Sequence, residues 1–522
     1  MKRSILCILA VMLAYGSLSA QEHYEFNYHD FANKITVIAQ ININGVEQTS
    51  SDYEIGAFDG TTITGSERIR VYGSNNYHRA YLSIYFNTAY DVTFKLYNHS
   101  TGVELTNCTV TYEGAPLTFE WTDENNYGTN KKPIVFNFVA AQSFTKTIIP
   151  YTAGGGWNFI SSPIGTVAPE DVTNMTSNNF DLYRFNQSSN LEWENYKSTN
   201  NYHFDLESGR GYLYANSGNN SGNVTLTFTG IPESGNAKEI PVNYDGNAEF
   251  KGWNLIGNPF TEAAYLADAA TDGTALAYAK MNETGNGFTI VSSGAPIPAM
   301  EGVLYQTTAT GNVYFTKTQP TGSKNGNLNI TVSQGRGSID NAVIRFGEGN
   351  ILEKYSFREN STKVYIPQNG KDFALINADN EGEIPVCFKA ETNGTYTLDI
   401  SCENVSMGYL HLIDNLTSND VDLLVNPNYT FNAKTTDYAN RFVLVFATGN
   451  ANDDQFAFFS NGKLIINNEG VATLQVIDVN GRILSSESIS GCCSKSIDAA
   501  TGVYMLRLIN GESTKTQKVF VR

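Results

Sequence analysis

Two carboxylates separated by one aromatic residue form the pattern in this chain that comes nearest to a catalytic pair. Glu192 and Glu194 flank Trp193 in the segment LEWENYK. A glycosidase places two carboxylates on either side of the scissile sugar bond. In a strand, alternation would put both carboxylates on the face opposite the tryptophan, and two like charges on one strand are more typical of a solvated surface. The solvated surface is therefore the favoured interpretation.

Motifs that mark other enzyme classes do not occur in the sequence. There is no HExxH zinc motif, no GxSxG nucleophile turn and no GxxxxGK[ST] phosphate loop. The histidines are scattered through predicted strands and turns, at His23, His29, His78, His99, His203 and His411. We therefore expect a protein that is not an enzyme and that needs no cofactor.

Oxygen-bearing side chains form two groups that could hold a structural calcium ion, because hard cations take carboxylate and carbonyl oxygens. The groups are Asp52, Glu54, Asp59 and Glu67, and Asp379, Asn380 and Glu381. No D-x-D-x-D run supports either group. Solvated acids beside turns are the favoured interpretation of the first group, and an ordinary polar turn that of the second.

Tryptophan offers a different chemistry, in which an exposed ring stacks against a sugar. Trp157, Trp193 and Trp253 are the candidate ligand-stacking residues. A platform would expose one ring face, whereas a core anchor would bury the ring. Trp157 and Trp253 recur at the same place in a duplicated segment, which favours a place in the core.

The duplication is visible in the segments GWNFISSPI (156–164) and GWNLIGNPF (252–260), which start 96 residues apart. Each copy continues through a strand with tyrosine, a polar turn and a second strand, and closes on GYLY from Gly211 or GVLY from Gly302. Repeats have to be recognised before the fold is assigned. The pattern predicts a duplicated β-rich domain over residues 151–320, with repeats at about 156–230 and 252–317.

The composition is that of a β-rich extracellular protein. Charged residues make up 16% of the 522 residues, against about 25% in ordinary globular proteins. A chain of this length should hold roughly three to five domains. The formal net charge of -18 would repel nucleic acid and anionic membranes, so neither is an expected partner.

Residues 1–20 have the features of a secretory signal peptide. Lys2 and Arg3 precede an apolar run, and small residues lead up to Ala20 before Gln21. No later run of 18 or more apolar residues occurs, so no membrane span is expected. The sequence predicts export, with the mature chain beginning near residue 21.

Short alternating strands separated by Asn, Gly and Ser turns predict two β-sandwiches, at residues 21–140 and 326–448. In the first, YEIGAFDGTTITGSER resembles a module that recurs in Bacteroidota surface proteins. In the second, eight strand segments run from LNITVSQ to RFVLVFA. Its segment GYLHLIDNLTSNDVDLLVN resembles a module that commonly precedes secretion domains in Bacteroidota. The overall prediction is an all-β chain of several sandwiches in series.

The last segment, residues 455–522, contains two hairpin patterns. LQVIDV and RILSSE flank Asn480-Gly481, a dipeptide typical of two-residue turns, and VYMLRLI and TQKVFV flank Asn510-Gly511-Glu512. We predict a small antiparallel sandwich of the immunoglobulin-like kind. Its motifs V-x-D-x-x-G-R, G-V-Y-x-L-x-L and T-Q-K-V-x-V-R closely resemble the C-terminal sorting domain of the type IX secretion system. The residues that carry this resemblance are Gly481, Gly502, Tyr504, Lys518, Val519, Val521 and Arg522.

The resemblance implies a route and a location. The implied partner is the type IX secretion machinery, which carries such chains across the outer membrane to the cell surface or the extracellular space. In that family the domain is typically removed, and the cargo is released or attached to surface lipopolysaccharide. Cargo proteins range from proteases to adhesins, so the resemblance does not give the activity.

The cysteines left after removal of the leader are Cys108, Cys387, Cys402, Cys492 and Cys493. An odd number with mostly wide spacing is not a disulfide framework. Cys387 with Cys402 is the pair to test in an oxidising compartment. The adjacent Cys492 and Cys493 are expected in a loop and not bonded to each other.

Three functions from different classes remain. The leading one is a non-catalytic surface protein that acts in adhesion or ligand binding, for example to a host matrix protein. The second is a carbohydrate-binding protein that uses the tryptophans as stacking faces, which exposure of two such rings on one concave face would favour. The third is a glycan-degrading enzyme without a recognisable motif, which a cleft holding Glu192 or Glu194 beside another acid would favour.

Overall fold

The computed structural model describes residues 22–521, except for 153–154, 177, 190–191, 199–202, 219–223, 293, 322–324, 336, 449–455, 461 and 512. The described residues confirm an all-β chain, with 3-10 turns at Tyr28–Asp30 and Pro169–Asp171. The predicted signal peptide lies outside the described residues. The chain divides into two compact units after Gln142.

The first unit is a β-sandwich. Its larger sheet has the strand order β10-β9-β12-β1-β6-β5, and its smaller sheet the order β4-β3-β7-β8. Alternate side chains of β1 are buried, because successive residues of a strand point to opposite faces. The strands are β1 (Asn33–Ile43), β2 (Val46–Glu47), β3 (Tyr53–Asp59), β4 (Thr62–Arg68), β5 (Arg70–Tyr72), β6 (Tyr77–Phe86), β7 (Val92–Asn98), β8 (Val103–Leu105), β9 (Cys108–Tyr112), β10 (Ala115–Pro116), β11 (Asn126–Tyr127) and β12 (Ile134–Phe138).

The second unit begins with the duplicated region. Its strands are β13 (Gln142–Thr147), β14 (Asn158–Ser161), β15 (Phe180–Phe185), β16 (Trp193–Asn195), β17 (Gly211–Asn216), β18 (Thr225–Gly230), β19 (Ala237–Val242), β20 (Trp253–Gly257), β21 (Tyr265–Ala267), β22 (Tyr278–Met281), β23 (Phe288–Val291), β24 (Gly302–Gln306) and β25 (Gly311–Thr316). The two GWN strands, β14 and β20, each begin a four-stranded sheet. The orders are β14-β17-β15-β16 and β20-β24-β22-β23, so corresponding strands occupy the same places.

The two repeat sheets meet through reciprocal contacts. Ile160 of the first repeat forms a β-bridge with Glu301 of the second, and Ile256 of the second forms one with Arg210 of the first. Ile160 corresponds to Ile256 in the GWN segments, and Arg210 and Glu301 each precede the closing glycine. Each repeat therefore contacts the other through the same two positions, and this reciprocity is the property of a two-fold interface.

Glycine makes this close approach possible. A Cβ atom on Gly257 would lie 2.2 Å from the Cβ of Ser161 and 2.7 Å from the carbonyl oxygen of Arg210. A Cβ on Gly211, which closes the first repeat, would lie 2.6 Å from the carbonyl oxygen of Ile256, and a Cβ on Gly302, which closes the second, 3.2 Å from that of Ile160. A glycine at each of these positions leaves room for the backbone of the other repeat.

The third sandwich shares its packing with the repeats. One buried cluster joins Phe159 of the first repeat, Trp253 and Phe288 of the second, and Leu352 and Tyr355 of the third sandwich. The ring centroid of Tyr355 lies 5.5 Å from that of Trp253 and 5.4 Å from that of Phe288. The duplicated region and the third sandwich are therefore held together by a common apolar core.

All eight strands predicted for the third sandwich are present, with short additional ones. They are β26 (Gly326–Gln334), β27 (Gly337–Phe346), β28 (Leu352–Glu353), β29 (Lys363–Gln368), β30 (Lys371–Ala378), β31 (Glu381–Lys389), β32 (Gly394–Glu403), β33 (Tyr409–Asp414), β34 (Asn419–Asp422), β35 (Asn428–Ala433) and β36 (Phe442–Ala447). Cys387 and Cys402 are not bonded: Cys387 is buried opposite Tyr365 in β29, whereas Cys402 is exposed near the end of β32.

The C-terminal segment folds into two facing sheets, β37-β38-β41 and β40-β39-β42-β43. Its strands are β37 (Ala457–Ser460), β38 (Lys463–Ile466), β39 (Val471–Ile477), β40 (Ile483–Ser490), β41 (Cys493–Ser496), β42 (Gly502–Asn510) and β43 (Ser513–Val521). Cys493, which we expected in a loop, opens β41 because its backbone pairs with Ile466. Cys492 and Cys493 are not bonded to each other.

The C-terminal sandwich packs on the third sandwich. Ile465 joins a small buried cluster with Tyr409, Val445 and Ala447. The hydroxyl of Ser460 donates a 2.7 Å hydrogen bond to Glu383. The contact combines an apolar centre with polar groups around it.

Glu381 lies at the start of β31 beside this contact. Burial raises the pKa of Glu381 to about 7, in spite of the nearby Asn467 amide, and the carboxylate of Asp379 adds to the rise. A carboxyl group whose pKa is higher in the folded chain than in the unfolded chain binds its proton more tightly when folded. Its contribution to stability is therefore most favourable below its unfolded pKa and becomes unfavourable as the pH rises towards 7.

We predict that Gly257→Ala lowers the free energy of unfolding of the second unit by about 1–3 kcal/mol, because the added methyl group overlaps Ser161. Urea denaturation followed by tryptophan fluorescence measures the change. Gly311→Ala is the control, since a Cβ on Gly311 meets nothing within 4 Å. Equal stability of the two variants would contradict the close approach of the repeats.

We predict that Glu381→Gln increases the hydrogen-exchange protection of β31 at pH 8, because the neutral amide removes a buried charge. At pH 4.5 the variant and the unmodified chain should be protected alike, after correction for intrinsic exchange rates. Glu403→Gln alters an exposed carboxylate at the end of β32 and should have no such effect. A Glu381→Gln effect of the same size at both pH values would refute the assignment.

Candidate functional site

Glu192 and Glu194 do not lie side by side on a solvated strand face. Glu192 has a φ of 43°, which is outside the extended region, so β16 begins only at Trp193. Glu194 is buried and forms an ion pair with Arg184 on β15, directly opposite in register. The expected alternation is therefore wrong, because the turn that precedes the strand includes Glu192.

The two carboxylates also differ electrostatically. Burial raises the pKa of Glu194, but hydrogen bonds from Arg184 and Asn186 outweigh this effect and hold the pKa below its ordinary value. Burial and the nearby carboxylate of Glu249 raise the pKa of Glu192. Glu194 is thus a structural ion-pair partner, while Glu192 lies near a second acid.

The candidate stacking tryptophans lie in three different environments. Trp253 is 2% exposed and packs against Tyr355. Trp193 is half-buried, and its indole N–H donates a 2.9 Å hydrogen bond to the hydroxyl of Tyr355. Trp157 is half-buried and borders a surface hollow, with its ring edge-on to Tyr183 at 5.7 Å. Trp157 also packs on the buried cluster that contains Tyr355, and of the three tryptophans it is the one that borders this hollow.

A cleft of about 650 Å³ lies in the duplicated region and is lined by residues of both repeats. Glu207 and Arg210 line it from the first repeat and pair with each other at 3.5 Å. Glu239 and Asn312, which are hydrogen-bonded, line it from β19 and β25. Ile240, which is buried, contributes to its apolar floor. The cleft combines both signs of charge, an amide and an apolar surface.

Gln187 is a buried residue of the cleft lining. Its side-chain oxygen accepts hydrogen bonds from the backbone N–H groups of Asp245 at 2.9 Å and Gly252 at 2.8 Å. Its amide donates to the carbonyl oxygen of Asn243 at 2.6 Å. One buried side chain of the first repeat therefore holds the GWN segment of the second. Sequence analysis did not identify the cleft residues, because none of them belongs to a motif.

The acidic residues proposed for calcium are not gathered into a site. Within the ranges that the structure describes, no group of three His, Cys, Asp or Glu side chains is arranged to hold a metal ion. Glu54, expected to be a solvated acid, is fully buried in β3. It accepts hydrogen bonds from the backbone N–H groups of His23 and Tyr24, and its side chain lies 2.6 Å from that of His99. Glu54 thus anchors the start of the described chain.

The hairpin turn of the C-terminal sandwich explains the V-x-D-x-x-G-R motif. The carboxylate of Asp478 accepts hydrogen bonds from the backbone N–H groups of Asn480 at 3.0 Å and Arg482 at 2.9 Å. The hydrogen bond from the Arg482 N–H contributes most to lowering the pKa of Asp478, and the one from Asn480 adds to it. Gly481 has a φ of 82°, which glycine adopts without strain. The Arg482 guanidinium returns to Asp478 at 3.1 Å.

The other motif residues lie on the last two strands. Gly502 and Tyr504 on β42 pair with Val521 and Val519 on β43. Val519 and Val521 are buried, whereas Lys518 and Phe520, which alternate with them, are exposed. The alternation explains why this terminal strand mixes apolar and basic residues. Arg522 lies outside the described residues.

The C-terminal segment of the chain matches a known sequence family. Residues 460–522 match the family described as "Secretion system C-terminal sorting domain". No curated protein matches the chain significantly. In the parts of the chain that the structure describes, no helix has the length and apolar character that a membrane span requires.

Solved structures show only distant likeness. One is described as "Biofilm associated protein - BSP domain"; it is 10% identical over 95% of this chain and 97% of that chain, with a TM-score of 0.12. Another is a Salmonella alpha-2-macroglobulin reacted with methylamine, 10% identical over 97% of this chain and 40% of that one, with a TM-score of 0.11. TM-scores this low do not indicate a shared fold.

The sequence match and the hairpins of the C-terminal sandwich lead to the same conclusion. Asp478, Gly481 and Arg482 form the turn of the motif, and β42 and β43 form its final hairpin. Residues 460–522 are a C-terminal sorting domain of the type IX secretion system, which directs this chain across the outer membrane to the cell surface or the extracellular space.

Proposed function

We propose that the exported chain is a non-catalytic surface protein that binds a ligand in the cleft between its repeats and so acts in adhesion. The observation that carries the proposal is the cleft of about 650 Å³ lined by both repeats. Ligand sites in proteins typically measure about 300–1,000 Å³ and combine an apolar surface with a few polar groups. Arg210, Glu207 and Glu239 supply those polar groups.

The rigidity of the surroundings supports binding at this place. The cleft is bordered by backbone that approaches closely at Gly257 and by Gln187, which is buried. Side chains held by such packing lose little conformational entropy when a ligand binds. Surface lipopolysaccharide, a glycan or a matrix protein is the kind of partner we propose for an exported chain.

The state of the carboxylates supports a non-catalytic role. The carboxylate of Glu194 accepts hydrogen bonds from Arg184 and Asn186. These contacts favour its ionised form and occupy its oxygens. A glycoside hydrolase needs one carboxyl group to donate a proton and a second to act as base or nucleophile. The glycan-degrading alternative therefore has to depend on Glu192 and Glu249, which do not line the large cleft.

We predict that the chain binds to immobilised glycans or matrix proteins and leaves them chemically unchanged. Arg210→Ala should weaken this binding roughly tenfold, because it removes a charged group from the cleft. Surface plasmon resonance measures the affinity, and mass spectrometry of the recovered ligand detects cleavage.

Arg358→Ala is the matched control, since Arg358 is an exposed arginine of the third sandwich that pairs with Glu391. It should bind as the unmodified chain does. If the chain bound none of the glycans or matrix proteins, the proposed function would be overturned. If the chain shortened the glycans, and this cleavage persisted in Glu194→Gln but was lost in Glu192→Gln, the enzyme hypothesis would be favoured.

A further inference from the structure

The two repeats can be compared position by position because their sheets have the same register. Asn158 is opposite Tyr214 in the first repeat, and Asn254 is opposite Tyr305 in the second. One residue earlier in each GWN strand, Trp157 therefore corresponds to Trp253. The same alignment matches Ala215 with Gln306 and Asp181 with Ala277.

In the second repeat this row of three positions is covered by the third sandwich. The amide of Asn350 donates to the carbonyl oxygen of Ala277 at 3.0 Å, and its oxygen accepts from the N–H of Ala277 at 2.8 Å. The backbone N–H of Glu353 donates to the side chain of Gln306 at 2.8 Å. The Tyr355 ring packs on Trp253, the third position of the row.

In the first repeat the corresponding row borders an open hollow of about 200 Å³. Trp157, Ala215 and Asp181 all line it, together with Thr152 and Tyr151. Tyr151 is 39% exposed and the Asp181 side chain is 53% exposed. Trp157 is half-buried against the shared core and Ala215 is buried, so the row that is covered in the second repeat is partly open to solvent in the first.

The change from Ala277 to Asp181 alters the chemistry of this row. An apolar segment placed against Asp181 would remove a carboxylate from water without replacing its hydrogen bonds, which is unfavourable. The ammonium group of Lys197 already lies 3.8 Å from the Asp181 carboxylate. A cationic ligand would meet that ammonium group, and an anionic ligand would meet the carboxylate, so an uncharged polar ligand fits best.

We infer that the hollow beside Trp157 is a carbohydrate subsite that takes one uncharged sugar ring of an extracellular glycan. A pyranose ring has a C–H face that packs on an aromatic ring, and its edge carries hydroxyl groups. Those hydroxyls can donate to Asp181 and exchange hydrogen bonds with Thr152. The hollow and the cleft between the repeats have different lining residues, so the inference adds a second site to the proposed ligand-binding function, on which it rests.

The experiment is an array of neutral oligosaccharides of hexoses, N-acetylhexosamines and fucose, with sialylated and sulfated glycans for comparison, probed with the full chain. We expect binding to neutral glycans. Trp157→Ala and Asp181→Asn should each weaken it at least about tenfold. Asp181→Asn alters an exposed side chain, so the test does not depend on a variant that perturbs the core.

Asp205→Asn is the matched control, because Asp205 is an exposed acid of the same repeat that does not line the hollow. Neutral-glycan binding that Asp181→Asn weakens and Asp205→Asn leaves intact would support the subsite. Unchanged binding by Asp181→Asn, equal loss in both variants, or binding confined to charged glycans would overturn it. If the chain bound only matrix proteins, the subsite would fail while the ligand-binding function stood; if it bound nothing, both would fail.

Discussion

The apolar core that both repeats share with the third sandwich is the constraint on which the second unit depends. Tyr355 lies at its centre, with its ring against Trp253 and Phe288 and its hydroxyl accepting a hydrogen bond from Trp193. Burial of several large aromatic side chains at one place supplies most of the favourable free energy of such a junction. The sheets on either side are consequently fixed in relation to each other, and side chains at the borders of the core are held in place.

Duplication makes this core asymmetric. The repeats meet through the same positions, exchanged between Ile160–Glu301 and Ile256–Arg210, and both contribute to the shared core. The row of Trp157 nevertheless lines a hollow, while the row of Trp253 is covered by the third sandwich. Trp253 is buried beneath it, and Trp157 is left beside a hollow. A face released from packing can take other side chains, and Asp181 stands where the covered repeat has Ala277. Asymmetric use of two equivalent rows thus separates a structural surface from the proposed carbohydrate subsite.

The sorting domain is stabilised by local chemistry of a different kind. Its hairpin depends on one carboxylate, Asp478, which satisfies two backbone N–H groups, and on Gly481 in the left-handed conformation. Its contact with the third sandwich is a small apolar cluster bordered by polar pairs such as Ser460–Glu383. The sorting domain has a buried cluster of its own, which is separate from the large shared core.

The sequence by itself determined the all-β fold, the strands of both sandwiches and the sorting domain, because alternation, turn dipeptides and terminal motifs act over a few neighbouring residues. Only the tertiary structure decided which GWN tryptophan is buried, that Trp193 pairs with Tyr355, and that Glu54 is buried in β3. Those outcomes depend on residues far apart in the chain: Tyr355 lies 162 positions from Trp193, yet receives its hydrogen bond. Periodicity within a strand shows which side chains share a face, and the partner that covers that face comes from elsewhere in the chain.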